Sequence, residues 1–347
     1  MKVDIKYMQR CLELASRGAG KVAPNPMVGA VLLYDDRIIG EGYHESYGQA
    51  HAEVNCIQSV HPLDQALIEK STLYVSLEPC AHHGKTPPCT ELIIRYKIPR
   101  VVIACNDPYQ EVNGKGIELL KTAGVEVTVG VLESAAKILN QRFICCQEKK
   151  RPYIILKWAQ SADGKIAANG NHRTYISNEY TNILVHRWRS EEAAILVGAG
   201  TAIMDNPALT VRAWKGNNPL RLLIDRNLKT PASAQLLDQS VPTIVFNSIK
   251  ESTSTNLRYC LIKQTDDFIP AMLEILMKEK IQSILVEGGA EILNAFIQKG
   301  LWEEARIITN TALQIGQGLA APILKDAFLK EAFQLHTDHI QFYQPSA

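Results

Sequence analysis

The tightest constraint on this chain of 347 residues lies between His51 and Cys89. His51-Ala52-Glu53 is followed by Glu78-Pro79-Cys80 and then, after eight intervening residues, by Cys89. One imidazole and two thiols can give a catalytic Zn²⁺ three protein ligands and leave a fourth position for water, while a nearby carboxylate that is not a ligand can move protons. The pattern reads as a helix over 51–60, a short apolar strand over 72–77 that delivers Cys80, and a helix over 90–97 opened by Cys89. The Cys89 thiolate then sits at a helix start, where negative charge is stabilised.

Two other readings bear on the same residues. A structural zinc site is closed by four ligands, and His82 or His44 could supply the fourth, but such a site has no use for Glu53 two residues after a ligating His. Cys11, Cys56, Cys105, Cys145, Cys146 and Cys260 fall in apolar or helical contexts and read as packing residues rather than as a disulfide framework. Thirty-seven basic side chains face thirty-six acidic ones. That balance argues against a nucleic-acid partner held through phosphates. No apolar run reaches the length of a membrane span, and the first residues lack the apolar core of a signal peptide, so a cytoplasmic protein with no membrane partner is expected.

Read in order, the chain alternates. A helix capped by Asp4 leads to Ala23-Pro24-Asn25-Pro26-Met27-Val28-Gly29, where two prolines fix an extended loop around Asn25. Strands at 28–34 and 38–43 form a hairpin. Beyond Cys89, strands at 101–105 and 125–129 alternate with helices at 116–123 and 132–147. The charged stretch Gln147-Glu148-Lys149-Lys150-Arg151-Pro152 reads as a linker, so two domains are expected, residues 1–147 and 148–347. A second alternation follows, with strands at 153–159, 193–197, 220–224, 243–246 and 283–286 and helices at 178–190, 269–280 and 290–298. Glycines after its strands, at Gly198, Gly200, Gly288 and Gly289, let a backbone approach a phosphate, but the dinucleotide fingerprint of a Rossmann fold is missing.

His51-Ala52-Glu53 with Pro79-Cys80 resembles the zinc deaminases, except that their second cysteine pair is usually spaced by two residues. The whole order of motifs resembles the bifunctional deaminase/reductase family of riboflavin biosynthesis. The resemblance is carried by 23–29, by His51-Ala52-Glu53, and by Glu78-Pro79-Cys80 through Pro87-Pro88-Cys89 with His82, Gly84 and Lys85 between them. In the second half it is carried by Asp163-Gly164-Lys165, Gly200-Thr201, Asp205-Asn206-Pro207, Leu209-Thr210-Val211-Arg212 and Glu287-Gly288-Gly289.

The resemblance implies an α/β fold class: a cytidine-deaminase-like three-layer domain followed by a dihydrofolate-reductase-like α/β domain. It implies zinc held by His51, Cys80 and Cys89, with Glu53 as the proton carrier. The substrate would be a small phosphorylated pyrimidine, a diaminopyrimidinone ribosylamino phosphate. It would be held by Asn25, His44, His82 and Lys85, with Asn106, Asp107, Asn113 and Gly114 in the loop facing the ribose phosphate. NADPH would then reduce the ribosyl group to ribityl, its site drawing on Ala159, Tyr175, Thr201, Asp205, Gly288 and Gly289. Arg173, Arg189, Leu209, Arg212 and Glu287 match positions facing the second substrate. Arg173-Thr174-Tyr175 departs from the family, which more often shows a small or polar residue and then Trp, and Arg226 is a candidate for the cofactor's extra phosphate. A homo-oligomer is compatible with this reading. The competing expectations are a nucleobase or nucleic-acid deaminase with a non-catalytic accessory domain, and a zinc-stabilised binding protein.

Overall fold

The computed structural model describes residues 2–82, 87–109, 112–170, 173–263 and 267–346. The chain divides into two compact units, Met1–Lys150 and Arg151–Ala347.

The first unit is a five-stranded sheet between two layers of helices. Its elements are α1 (Lys2–Ser16), β1 (Gly29–Tyr34), β2 (Arg37–Tyr43), α2 (Ala52–Gln58), β3 (Thr72–Val75), α3 (Cys89–Arg95), β4 (Arg100–Ile103), α4 (Lys115–Thr122), β5 (Glu126–Val129), α5 (Glu133–Leu139) and α6 (Gln141–Lys149). The strands run in the order β2-β1-β3-β4-β5, the last three parallel. Alternation along the strands builds both faces. Ala30, Leu32, Leu73, Val75, Val101 and Ile103 pack against Cys56 and Ile57 of α2, Ile93 of α3 and Leu120 of α4. Val31, Leu33, Tyr74 and Val102 meet Met8, Cys11 and Leu14 of α1 and Ala136 of α5. The parallel strands therefore end on one edge, where Glu78 to Cys80 and Asn106 to Asp107 emerge.

Three sequence expectations change here. Asp4 does not cap α1 but lies in its first turn, where it accepts hydrogen bonds from the Tyr74 hydroxyl (3.0 Å) and from Arg100 (3.2 Å). The single helix expected over 132–147 is two helices broken at Asn140. The buried Asn140 amide pairs with the backbone of Met27, accepting from its N–H at 2.8 Å and donating to its carbonyl at 2.9 Å. α6 then runs on to Lys149, so part of the expected linker is helical and the expected division at 147/148 falls inside α6.

The second unit is built on a ten-stranded sheet. Its elements are β6 (Tyr153–Ser161), β7 (Lys165–Ala168), α7 (Glu179–Glu191), β8 (Ala194–Gly198), α8 (Ala199–Asp205), β9 (Leu220–Ile224), β10 (Thr243–Asn247), β11 (Ser252–Thr253), β12 (Leu257–Leu261), α9 (Phe268–Lys278), β13 (Ser283–Val286), α10 (Ala290–Gln298), β14 (Glu304–Asn310), β15 (Gly318–Ala320), β16 (Ala327–Leu335) and β17 (Asp338–Pro345). The order is β11-β12-β10-β9-β8-β13-β6-β14-β17-β16, with a parallel centre and antiparallel ends. One face packs Leu156, Leu196, Leu222, Phe246 and Val286 beneath Met272 and Leu276 of α9 and Phe296 of α10. The other packs Ile195, Val197, Leu223 and Val245 with Ala202 of α8. The sequence expectation stopped at residue 298. Of the strands beyond it, β16 and β17 escape a search for buried runs because β16 is exposed along most of its length and β17 only half-buried, whereas β14 is a buried run that the sequence reading missed.

Candidate active sites

His51 is the N-cap of α2, with an extended backbone and no bond from its side chain to the helix amides, so the imidazole is free to point elsewhere. It faces the two thiols: Nδ1 lies 3.5 Å from Cys80 Sγ and 3.4 Å from Cys89 Sγ, and the three ligand atoms lie within 4.8 Å of one another. Tetrahedral bonds of ordinary length to zinc separate a sulfur and a nitrogen ligand by about 3.5 Å, so this spacing fits the ion. Among the described residues these three side chains form the metal-competent cluster.

The cysteines reach it from different elements. Cys80 follows β3, and its carbonyl accepts bonds from both the backbone N–H and the hydroxyl of Thr90 (3.2 Å each). Cys89 opens α3 and donates its own N–H to Cys80 Sγ at 3.3 Å. That thiol, hydrogen-bonded first by Cys89 and then by His51, is held down to about 4. The Cys89 thiol is pushed up, first by its bond to Cys80 and then by burial. Both cysteines would bind zinc as thiolates.

Glu53, in the first turn of α2, is buried beside this cluster. Burial, and then the Cys80 charge, raise its carboxyl above the usual range. His44 is engaged at both ring nitrogens: Nδ1 donates to the Ala50 carbonyl at 3.0 Å and Nε2 accepts from the Asn25 amide at 3.1 Å. Burial holds its pKa down, so the ring is neutral near pH 7. Neither ring nitrogen is left for a metal, which counts against His44 as a fourth ligand. His82 is packed edge-on against Tyr109 at 5.8 Å, and its buried Nδ1 has no hydrogen-bond partner among the described residues. Asn106, Asn113 and Gly114 are exposed or half-exposed on one loop, while Asp107 is buried and pushed up to about 7 by that burial. Lys85 lies outside the described residues.

In the second unit Gly288, Gly289, Thr201, Glu287 and Arg189 meet around the carboxyl ends of β8 and β13, the usual place for a ligand crevice in such sheets. The Gly198 N–H at the end of β8 donates to the Gly288 carbonyl after β13 (3.0 Å). Thr201, in α8, crowds the same turn: a Cβ on Gly289 would lie 3.2 Å from its hydroxyl. Gly288 has φ 128°, a conformation side chains resist. Glu287 accepts two 2.7 Å bonds from Arg189, and Lys157 Nζ stands 3.6 Å away. Register explains the lysine, because Leu156 of β6 pairs with Val286 of β13 and so brings the next residues side by side.

Other expected positions behave differently. Leu209 has its side chain in the core with Ile195 and Leu223, so only its backbone, at φ 50°, can be presented to a ligand. Arg212 donates its N–H to His186 Nδ1 at 3.1 Å and its guanidinium to Thr210 at 2.8 Å. Arg173 stacks on the exposed Tyr175 ring at 4.9 Å, and Asp205 is raised by burial against the pull of Arg173. Ala159 sits on β6 opposite Ile308. Arg226 lies over the Phe268 ring at 4.4 Å.

Two family descriptions match the chain: the RibD C-terminal domain over residues 152–344, and the cytidine and deoxycytidylate deaminase zinc-binding region over residues 1–105. The riboflavin biosynthesis protein RibD of Bacillus amyloliquefaciens is 38% identical over 97% of this chain and 92% of its own. Its Escherichia coli counterpart is 34% identical over 87% and 86%. The chain belongs to the RibD family. Among solved structures, a diaminohydroxyphosphoribosylaminopyrimidine deaminase/5-amino-6-(5-phosphoribosylamino)uracil reductase of Thermotoga maritima superimposes with TM-score 0.89 at 35% identity, covering 99% of both chains. Acinetobacter baumannii RibD gives 0.88 at 32% identity, covering 100% of this chain and 99% of its own. The expected fold class holds, and as a RibD protein the chain is a bifunctional deaminase/reductase of riboflavin biosynthesis with zinc and NADPH as cofactors. No helix among the described residues is long and apolar enough to cross a membrane.

Three residues of this RibD chain went unnamed in the sequence reading. A lysine inside the apolar run Tyr153-Ile154-Ile155-Leu156-Lys157-Trp158 was the available signal for Lys157. His186 and Asn140 gave none, since their partners lie 26 and 113 residues away in sequence. Asn140 braces the loop that carries Asn25. Asn140→Ala leaves two polar groups of Met27 without these partners and is expected to cost about 2 kcal/mol and to raise the deaminase KM several-fold. Thermal unfolding and ammonia-release kinetics measure the two effects, and an unchanged KM would mean that the loop is braced elsewhere.

Proposed function

We propose that the unit ending at Lys150 is the zinc-dependent pyrimidine deaminase and the unit beginning at Arg151 the NADPH-dependent reductase. The two act in turn on 2,5-diamino-6-(5-phosphoribosylamino)pyrimidin-4-one. What supports the first half is a metal-competent triad at zinc spacing with a buried, non-ligating carboxyl two residues beyond its histidine. Zinc supplies Lewis acidity that makes water nucleophilic near neutral pH. Glu53 takes one proton from that water and passes it to a ring nitrogen as the hydroxide adds to the amine-bearing carbon, then carries the second proton, from the added hydroxyl, to the amine, which leaves as ammonia as the C–N bond breaks. Neutral His44 and its partner Asn25 orient the ring, with His82 and Lys85 completing the pocket. Asn106, Asp107, Asn113 and Gly114 face the ribose phosphate.

In the second half NADPH supplies the hydride. Ala159, Tyr175, Thr201, Asp205, Gly288 and Gly289 form its cradle. Arg173, Arg189 and Arg212 present guanidinium groups to a phosphate, which that group binds through paired hydrogen bonds. Glu287 holds Arg189 and Lys157 in place while facing the sugar, and Leu209 contributes its backbone. The substrate is a small molecule and the protein works in the cytoplasm.

The decisive experiment supplies this pyrimidine phosphate with and without NADPH while following ammonia and product mass. Ammonia should appear without NADPH, and the ribityl product only with it. If no ammonia is released by the zinc-loaded protein, the deaminase assignment is wrong.

A further inference from the structure

Glu78 is buried two residues before the zinc-facing Cys80, and its carboxylate accepts four backbone N–H bonds. Oε2 receives Asp107 at 3.2 Å and Gly114 at 3.0 Å; Oε1 receives Gly116 at 3.0 Å and Ile117 at 3.3 Å. These donors span both ends of the loop that leaves β4 and enters α4. Gly114, the N-cap of α4, has φ 82° and no capping side chain of its own, so Glu78 takes over the orphan amides of that helix start from outside.

A second observation fixes the same spacing. A Cβ on Gly116 would lie 2.1 Å from the Pro79 carbonyl oxygen, so the start of α4 rests directly on the backbone between Glu78 and Cys80. Cys80 is in turn bound to Thr90 and Cys89 on its other side.

We propose that Glu78 is a positioning residue for deamination: its four hydrogen bonds set Asp107 and the 114–117 start of α4 at a fixed distance from the metal-ligating segment and so determine how well the phosphorylated substrate is held. This rests on the reading that Asp107, Asn113 and Gly114 face the ribose phosphate. The chemistry requires a carboxylate, since four donors converge on it and a carboxylate is acceptor-only with about four lone-pair sites. A glutamine of the same size would turn its NH₂ group towards two of those N–H groups, so a role in packing alone would tolerate Gln and this role does not.

The test uses the full-length protein carrying Glu78→Gln. Zinc per chain reports whether the triad still assembles, and ammonia release gives KM and kcat on the phosphorylated substrate and on its dephosphorylated form. Full zinc is expected, with KM for the phosphorylated substrate up about tenfold, a much smaller change in kcat, and KM for the dephosphorylated form unmoved. An unchanged KM, or an equal rise for both substrates, overturns the proposal. Should Glu78→Gln fail to bind zinc, Glu78→Asp decides: full zinc with a raised KM supports the positioning role, while full zinc with a normal KM, or loss of zinc here too, rejects it. Asn113→Ala separates the two layers of the argument. If it leaves KM unchanged, the loop does not face the phosphate and both readings fall; if it raises KM while Glu78→Gln does not, only the clamp is wrong.

Discussion

Glu53→Gln is expected to lower the rate of ammonia release by about a thousandfold, within the range that a positioned proton carrier contributes. The amide has nearly the volume of the acid it replaces, so the buried pocket at the start of α2 remains filled. What it lacks is a proton it can give up and take back. His51, Cys80 and Cys89 are untouched, and zinc content should stay at the wild-type level. The C-terminal unit supplies the internal control, because NADPH oxidation on substrate that is already deaminated should proceed at the wild-type rate. Ammonia release at an undiminished rate with full zinc would remove Glu53 from the mechanism.

The second large effect is expected at Glu287. Burial alone would raise its carboxyl, but the charges of Arg189 and then Lys157 bring it down to about 2 from the usual 4.5. Glu287→Gln strands two buried cations, and removing one partner of a buried ion pair typically costs about 3 kcal/mol or more. In a unit of this size that lowers the unfolding temperature by about 10 °C. It should also abolish most reductase activity, since the glutamine amide turns its NH₂ group towards one of the two Arg189 N–H groups now bound at 2.7 Å and the paired contact is lost.

The pH dependence has a definite sign. A depressed carboxylate pKa means that the stabilisation is fully present above the unfolded value, near 4.5, and is lost as pH falls towards about 2. The wild-type unit should lose stability across that window more steeply than Glu287→Gln, in which no proton is taken up at this position. Calorimetry at several pH values between those limits measures both slopes. Parallel slopes would show that Glu287 is not the group responsible.

Much of the deaminase unit was legible before any coordinates. The strands at 28–34, 72–77 and 101–105 were legible as short apolar runs, although which side chains face which helix layer was not read from them. The zinc ligands were legible because few other roles ask for one histidine, two cysteines and a neighbouring glutamate in that order. Several functional details were not. Asn140 belongs to an amphipathic helical run whose pattern continues on either side of it, so nothing local announces the break. Leu209 was expected at the substrate, yet its side chain fills the core and only its backbone remains available, a choice that φ and packing make and residue type does not. Strands β16 and β17 depend on pairing across the sheet, and strands that are mostly exposed or half-buried carry little hydrophobic signal.

The sequence by itself determined the chemistry at the first site, because the ligands and the proton carrier are residue types whose order and spacing few other functions share. It also determined the α/β alternation, which follows from local periodicity. Only the tertiary structure decided how that chemistry is held. Glu78 gathers four amides from a loop about thirty to forty residues on, and Lys157 meets Glu287 through strand register. Both are long-range contacts fixed when the chain closes on itself, and no local pattern in the residues encodes them.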